Sequence, residues 1–163
     1  DFGDMPEARS GVSGSSNGIR GIFWAGNHNA TPAQIKEMEY ITIASTGNSA
    51  DFGNMVRIVN DHSSCGNADR NIAAGGYYGS LQDTIEYCNP ASTGNTSDFG
   101  NLITAQYMNQ CAETAIRGII TGGYGRVAHE NTIQYVTFAS TGNGTDFGNM
   151  TIGRYSHTAG SGA

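Results

Sequence analysis

One phrase constrains this chain more than any other feature: Ala-Ser-Thr-Gly-Asn, two variable residues, then Asp-Phe-Gly-Asn. It occupies residues 44–54, 91–101 and 139–149, and its second half opens the chain as Asp1-Phe2-Gly3-Asp4. The aspartates Asp1, Asp51, Asp98 and Asp146 lie 50, 47 and 48 residues apart, a period that marks an array of supersecondary units. From each Asp to the Arg that opens the next apolar run (Arg20, Arg70, Arg117) the distance is 19, and from each strand Tyr (Tyr40, Tyr87, Tyr135) to the next Asp it is 11. Only the Arg-to-Tyr stretch varies, at 20, 17 and 18 residues. One loop per unit is therefore free to change while the rest is held in register.

Each unit predicts four short strands. The first follows D-F-G and is polar with small residues. The second (20–26, 70–76, 117–123) is a short apolar run closed by glycine, the signal of a buried strand. In the third, Ile41 and Ile43 flank Thr42, and Val136 and Phe138 flank Thr137, the period of a half-buried strand. Pro90 interrupts this segment in the middle unit and removes one ladder donor. The fourth carries D-F-G and is reached through Thr-Gly-Asn, which predicts a tight hairpin because Gly and Asn tolerate positive φ. Four strands per unit without a helical period predict an all-β fold of propeller blades.

In this order and spacing the units resemble kelch-like propellers. Arg154 and His157 match the Arg and His of the innermost strand, Gly75-Gly76 and Gly122-Gly123 the paired glycines, and Glu39-Tyr40 and Glu86-Tyr87 the residues of the third strand. Phe52, Phe99 and Phe147 stand in place of the usual Trp. Ala25-Gly26 departs from the Gly-Gly pattern, and Val59 and Gln106 occupy the Arg position. The A-S-T-G-N-x-x-D-F-G wording also resembles repeats of virion and tail-associated proteins of aquatic bacteriophages. Together these resemblances imply four-stranded blades, part of a β-propeller, in a virion or extracellular setting.

Three units spanning 1–163, of about 48 residues each, fall short of the four to eight blades of a closed ring. The expectation is a window of a longer array, or a propeller completed by further copies. A net charge of -6 and pI near 5.0 argue against a phosphate-tracking surface and hence a nucleic-acid partner. No run of about twenty apolar residues predicts membrane insertion. Cys65, Cys88 and Cys111 form no C-x-x-C pair. Cys65 lies 14 residues past its Asp and Cys111 lies 13 past its own, which places them on opposite faces of equivalent strands. Small buried thiols are expected.

D-F-G invites a kinase reading, but the H-R-D loop and the strand Lys are missing. A structural role is expected instead: Phe52, Phe99 and Phe147 fill the wedge between blades, Gly allows close backbone approach, and Asp51, Asp98 and Asp146 accept hydrogen bonds. Arg20, Arg70 and Arg117 are expected to pair with those aspartates or with the Glu before Tyr. One repeated carboxylate per unit is too few for calcium. His62 and His157, both 11 residues past an Asp, are expected to make framework hydrogen bonds. His28 and His129 have no second ligand at metal spacing. No nucleophile-base-acid set, metal site or cofactor site is indicated, so no enzyme is predicted. N-x-(S/T) triplets, as at Asn95 and Asn143, are nearly expected in a chain of this composition.

The varying loop is the candidate for recognition. Its sequences include His28 and Asn29, then Tyr77 and Tyr78, then Tyr124, Arg126 and His129; aromatics supply rigid contact area and small polar residues supply hydrogen bonds. In a four-stranded blade this loop shares one face with the link to the next unit. The function expected is a non-enzymatic structural and recognition module that binds a glycan or protein partner through that face. The alternatives are a subunit that self-associates through open blade edges, or a propeller enzyme with a site at the channel mouth.

Overall fold

A computed structural model describes residues 1–28 and 34–161. The described residues contain no helix, and 13 strands form three antiparallel sheets. Sheet 1 holds β1 (Arg9–Ser10), β2 (Ser13–Ser16), β3 (Arg20–His28), β4 (Gln34–Thr42) and β5 (Ala50–Asn54). Sheet 2 holds β6 (Ser63–Gly66), β7 (Asn71–Ala74), β8 (Thr84–Cys88) and β9 (Ser97–Asn101). Sheet 3 holds β10 (Gln110–Glu113), β11 (Arg117–Thr121), β12 (Thr132–Thr137) and β13 (Thr145–Asn149). Each sheet is a meander in chain order; in sheet 1, β3 is long enough to pair with β2 along one part and with β1 at its far end.

Registers repeat as the constant spacing requires: Ile22 faces Tyr40, Ile72 faces Tyr87 and Ile119 faces Tyr135. The extra residues of the first variable loop lengthen the β3–β4 hairpin, which pairs out to Asn27 and Gln34. His28 therefore ends a strand instead of lying in a loop.

Two cores lie between the sheets. Ile22, Trp24, Met38 and Phe52 of sheet 1 pack with Ala73 and Cys88 of sheet 2; Ile72, Ile85 and Phe99 of sheet 2 pack with Ile120, Val136 and Phe138 of sheet 3. Each sheet so presents one apolar face forward and another backward. The D-F-G phenylalanines follow this order: Phe52 and Phe99 are 1% and 2% exposed, whereas Phe147, with no sheet in front of it, is 58% exposed. The expected wedge role thus applies to two of the three.

The Thr-Gly-Asn phrase does not make the hairpin turn. Ser45, Ser92 and Ser140 close the turns by donating to the carbonyls of Thr42, Asn89 and Thr137. The following residues then run along the D-F-G strand of the preceding unit. Gly94 N–H donates to Phe52 O at 2.7 Å and Thr96 N–H to Asn54 O at 2.9 Å; Gly142 and Gly144 repeat this on Phe99 and Asn101. Asn95 Oδ1 and Asn143 Oδ1 accept from the amides of Asn54 and Asn101. This clamp explains the D-F-G glycine: a Cβ at Gly53 or Gly100 would lie 2.4 or 2.3 Å from the carbonyl oxygen of Gly94 or Gly142. The tertiary partner, absent from any local window, turns an apparent hairpin tripeptide into an extended one.

Arg20, Arg70 and Arg117 do not pair with carboxylates. Their guanidinium carbons lie 4.6, 4.6 and 4.2 Å from the ring centres of Tyr40, Tyr87 and Tyr135, a cation–π arrangement. Arg20 also donates to Pro90 O (3.3 Å) and Arg70 to Phe138 O (2.7 Å), both in the next unit. The Asp of D-F-G is used locally, with Asp51 and Asp146 accepting from the amides of Gly53 and Gly148. The buried Glu39 pairs with Arg9 and accepts from Ser49. Glu86, 1% exposed, binds Arg57 Nε at 3.0 Å and accepts from the Val56 amide and the Thr96 hydroxyl.

Two of the three cysteines are not free: Cys65 and Cys111 form a disulfide between β6 and β10, with Cα atoms 5.7 Å apart. The opposite-face placement is what allows it. When equivalent strands of successive sheets stand side by side, a side chain pointing forward from one meets a side chain pointing backward from the next. Cys88 is a buried free thiol, pushed up to about 12 by burial.

Candidate recognition face

At one end of the units, the second-to-third strand loop and the link entering each unit come together. Asn60 bridges Tyr77, and Tyr107 bridges Tyr124, by paired backbone hydrogen bonds. These bridges bring aromatic rings into a row. Tyr77 and Tyr107 have ring centres 5.6 Å apart, as do Tyr107 and Tyr124; Tyr124 stands 5.8 Å from Tyr155, and His129 lies 5.6 Å from Tyr124 and 4.7 Å from Tyr155. All are tilted or edge-to-face, the arrangement aromatic quadrupoles favour. Tyr77, Tyr124 and Tyr155 keep 38%, 37% and 44% of their surface exposed. The row spans two inter-unit junctions.

Of the residues expected in recognition, Tyr77, Tyr124 and His129 join this row. Tyr78 is 49% exposed beside Tyr77. Arg126 lies in a neighbouring recess of about 630 Å³ with Leu81, Thr104, Val127 and Glu130, between the loops of two units. His28 stands apart from the row, its Nδ1 2.8 Å from Glu7 Oε2, because β3 carries it to the far end of sheet 1. Asn29 lies outside the described residues. Tyr107 and Tyr155 were not anticipated from sequence. Each stands nine residues past a D-F-G aspartate, so comparing positions between units would have found them.

Next to the row is a cavity of about 290 Å³ whose lining repeats by unit: Gly11, Asp61, Met108 and Ser156, with Val12, His62, Asn109 and His157 following them. The first set is held at positive φ, between 49° and 62°. Its members are chained through the backbone, Asp61 N–H donating to Gly11 O, Met108 to Asp61 O and Ser156 to Met108 O. Burial lowers the His62 pKa to about 4, with the charge of Arg57 adding to the effect. His157 is also lowered, by burial and then by Arg154, and burial raises Asp61. Both imidazoles are thus neutral near pH 7. His157 Nε2 lies 2.9 Å from Thr121 Oγ1, whereas neither ring nitrogen of His62 has a partner among the described residues. The place of Thr121 is taken two units earlier, beside His62, by Trp24, whose single polar atom donates to Ser15. The expected framework bond therefore forms at His157 and not at His62.

Among the described residues no three His, Cys, Asp or Glu side chains stand together as metal ligands, and no helix is long and apolar enough to cross a membrane. No family model and no curated protein matched the chain.

Proposed function

We propose that the chain is a non-enzymatic recognition module of a virion or extracellular surface, built from blades of a kelch-like propeller, which binds a glycan or a protein through the aromatic row. The observation that carries this reading is the half-exposed row Tyr77–Tyr107–Tyr124–Tyr155 with His129 against it. Rings held edge-on to one another lose little freedom when a partner packs on them, and their hydroxyls stay available for hydrogen bonds. Such a row, with Arg126 and Glu130 in the neighbouring recess, suits the apolar faces and hydroxyl edges of a saccharide chain. The axial cavity supports the blade arrangement. Face-to-face sheets are about 10 Å apart, so a straight row would spread four equivalent positions over about 30 Å, whereas here they meet around one small space.

The test is a glycan array on the intact chain, followed by Tyr107→Ala and Tyr124→Ala against the best saccharide. Each substitution is expected to weaken binding about two- to tenfold, since one stacked ring contributes about 0.5–1.5 kcal/mol. Tyr87→Ala, outside the row, serves as the control for general loosening. Unchanged binding in both row variants refutes this face, and a blank array with capture of a protein by the same face selects the protein partner.

A further inference from the structure

We propose that the recess between the loops of the second and third units is a socket for an arginine side chain of a protein partner, one with a carboxylate beside its guanidinium. The second unit shows what the equivalent place holds when the chain fills it. There Arg57, in the link entering the unit, donates from Nη1 to Gln82 Oε1 at 2.8 Å and from Nε to Glu86 Oε1 at 3.0 Å. Backbone bonds fix which residues correspond in the third unit. Gln82 N–H donates to Gly76 O and Gln82 O accepts from Gln106 N–H; Glu130 N–H donates to Gly123 O and Glu130 O accepts from Arg154 N–H. Glu130 therefore stands where Gln82 stands. The Val56 amide donates to Glu86 and the Ile103 amide to Gln134, so Gln134 takes the place of Glu86, and Thr104, the next residue along, the place of Arg57.

Two changes distinguish the third unit: the long cation is replaced by a short hydroxyl side chain, and the acceptor that received its Nη1 becomes a carboxylate. Thr104 and Glu130 line the recess of about 630 Å³, together with Leu81, Ala105, Arg126 and Val127. Among the described residues neither Glu130 nor Arg126 enters an ion pair. Leu81, Ala105 and Val127, the last 90% exposed, offer apolar surface to the aliphatic stem of an arginine. Glu130 offers its guanidinium a charged acceptor where the second unit offers an amide. Arg126 repels a bare cation and so selects an occupant that carries a carboxylate next to the guanidinium. Arginine is the cation best suited to such a place, since its planar fork is weakly hydrated and is favoured at protein interfaces. The inference goes beyond the aromatic row, because it concerns what fills the recess beside the rings, and it names a protein as the partner that reaches this part of the face.

The test is nuclear magnetic resonance on the isotope-labelled whole chain, titrated with Nα-acetylarginine and with its amide, which lacks the carboxylate. The expected result is a saturable shift of the amides of residues 80–81, 104–105 and 126–130. The acid should reach half-saturation at about two- to fivefold lower concentration than the amide, the effect of one exposed ion pair. Glu130→Gln, which copies Gln82, should weaken both probes about two- to fivefold. Thr104→Arg, which restores the internal guanidinium of the second unit, should abolish both shifts, and Arg126→Ala should remove the preference for the acid. Thr104 and Arg126 are exposed and Glu130 is half-buried, so each variant folds, which circular dichroism checks. Absence of these shifts in the parent chain overturns the proposal, as do shifts that survive Thr104→Arg. Tighter binding of the acid to Arg126→Ala, the result if Arg126 serves only to neutralise Glu130, overturns it as well. Glycan binding is followed on the same variants to read the aromatic row separately. A saccharide that binds where neither probe does makes the recess part of a glycan site and overturns the proposal, whereas probes that bind while the glycan array stays blank support it.

Discussion

Gly100→Ala and Gly148→Ala change the same letter of the same phrase in two environments, and the difference between them measures the clamp. Both glycines have strongly positive φ, +148° and +137°, so both variants carry a similar backbone strain of about 1–2 kcal/mol. Only at Gly100 does the new Cβ meet backbone, 2.3 Å from Gly142 O. The 142–144 segment must withdraw, breaking the Gly142 to Phe99 and Gly144 to Asn101 backbone bonds and the bond from Asn101 N–H to Asn143 Oδ1. At roughly 1 kcal/mol net per hydrogen bond, Gly100→Ala is expected to lose about 3 kcal/mol more than Gly148→Ala. For a chain of this size that is a further fall of about 6–12 °C in Tm. Urea unfolding followed by far-ultraviolet circular dichroism, at a concentration where the chain is a single copy, measures both. Equal losses, within about 1 kcal/mol, would show that the clamp contributes nothing and that φ alone selects the glycine.

Two further outcomes follow from the buried polar groups. Glu86→Ala leaves Arg57, the Val56 amide and the Thr96 hydroxyl without their shared acceptor, an expected loss of about 3–5 kcal/mol. Glu86→Gln keeps an acceptor for the Val56 amide, as Gln134 does for the Ile103 amide in the third unit, but removes the charge opposite Arg57, whose place there is held by Thr104, so it should cost about 1.5–3 kcal/mol; equal denaturation midpoints for the two variants would refute the hub. His62 has a folded pKa of about 4, below its ordinary 6.5, so its contribution is present in full above pH 6.5 and is lost as pH falls towards 4. The loss reaches about 3 kcal/mol, and His62→Val, which copies Val12 of the first unit, should flatten that part of the stability profile. A variant as acid-sensitive as the parent would place the effect elsewhere.

The all-β class and the recurring antiparallel strands were legible because periodicity and glycine punctuation are local signals. Constant spacing between Asp, Arg and Tyr required equal registers, and Ile22–Tyr40, Ile72–Tyr87 and Ile119–Tyr135 pair accordingly. The loop face was legible in part: Tyr77, Tyr124 and His129 come together, but His28 is carried away by a strand that the longer loop extends. Partners across units were not legible. The framework arginines look as though they need carboxylates, yet they find tyrosine rings and carbonyls one unit on, and Thr-Gly-Asn reads as a turn until the preceding D-F-G strand lies beside it.

By itself the sequence determined a repeated all-β unit, its four strands, their order and the one stretch free to vary, since each of these depends on residues near one another in the chain. What each unit does to its neighbour came from packing alone: the Cys65–Cys111 link, the clamp on Gly53 and Gly100, and the aromatic row. Those depend on how one unit is turned and spaced against the next. A period measured along the chain carries the distance between equivalent residues in sequence and leaves their rotation in space to be set by the packing of the cores.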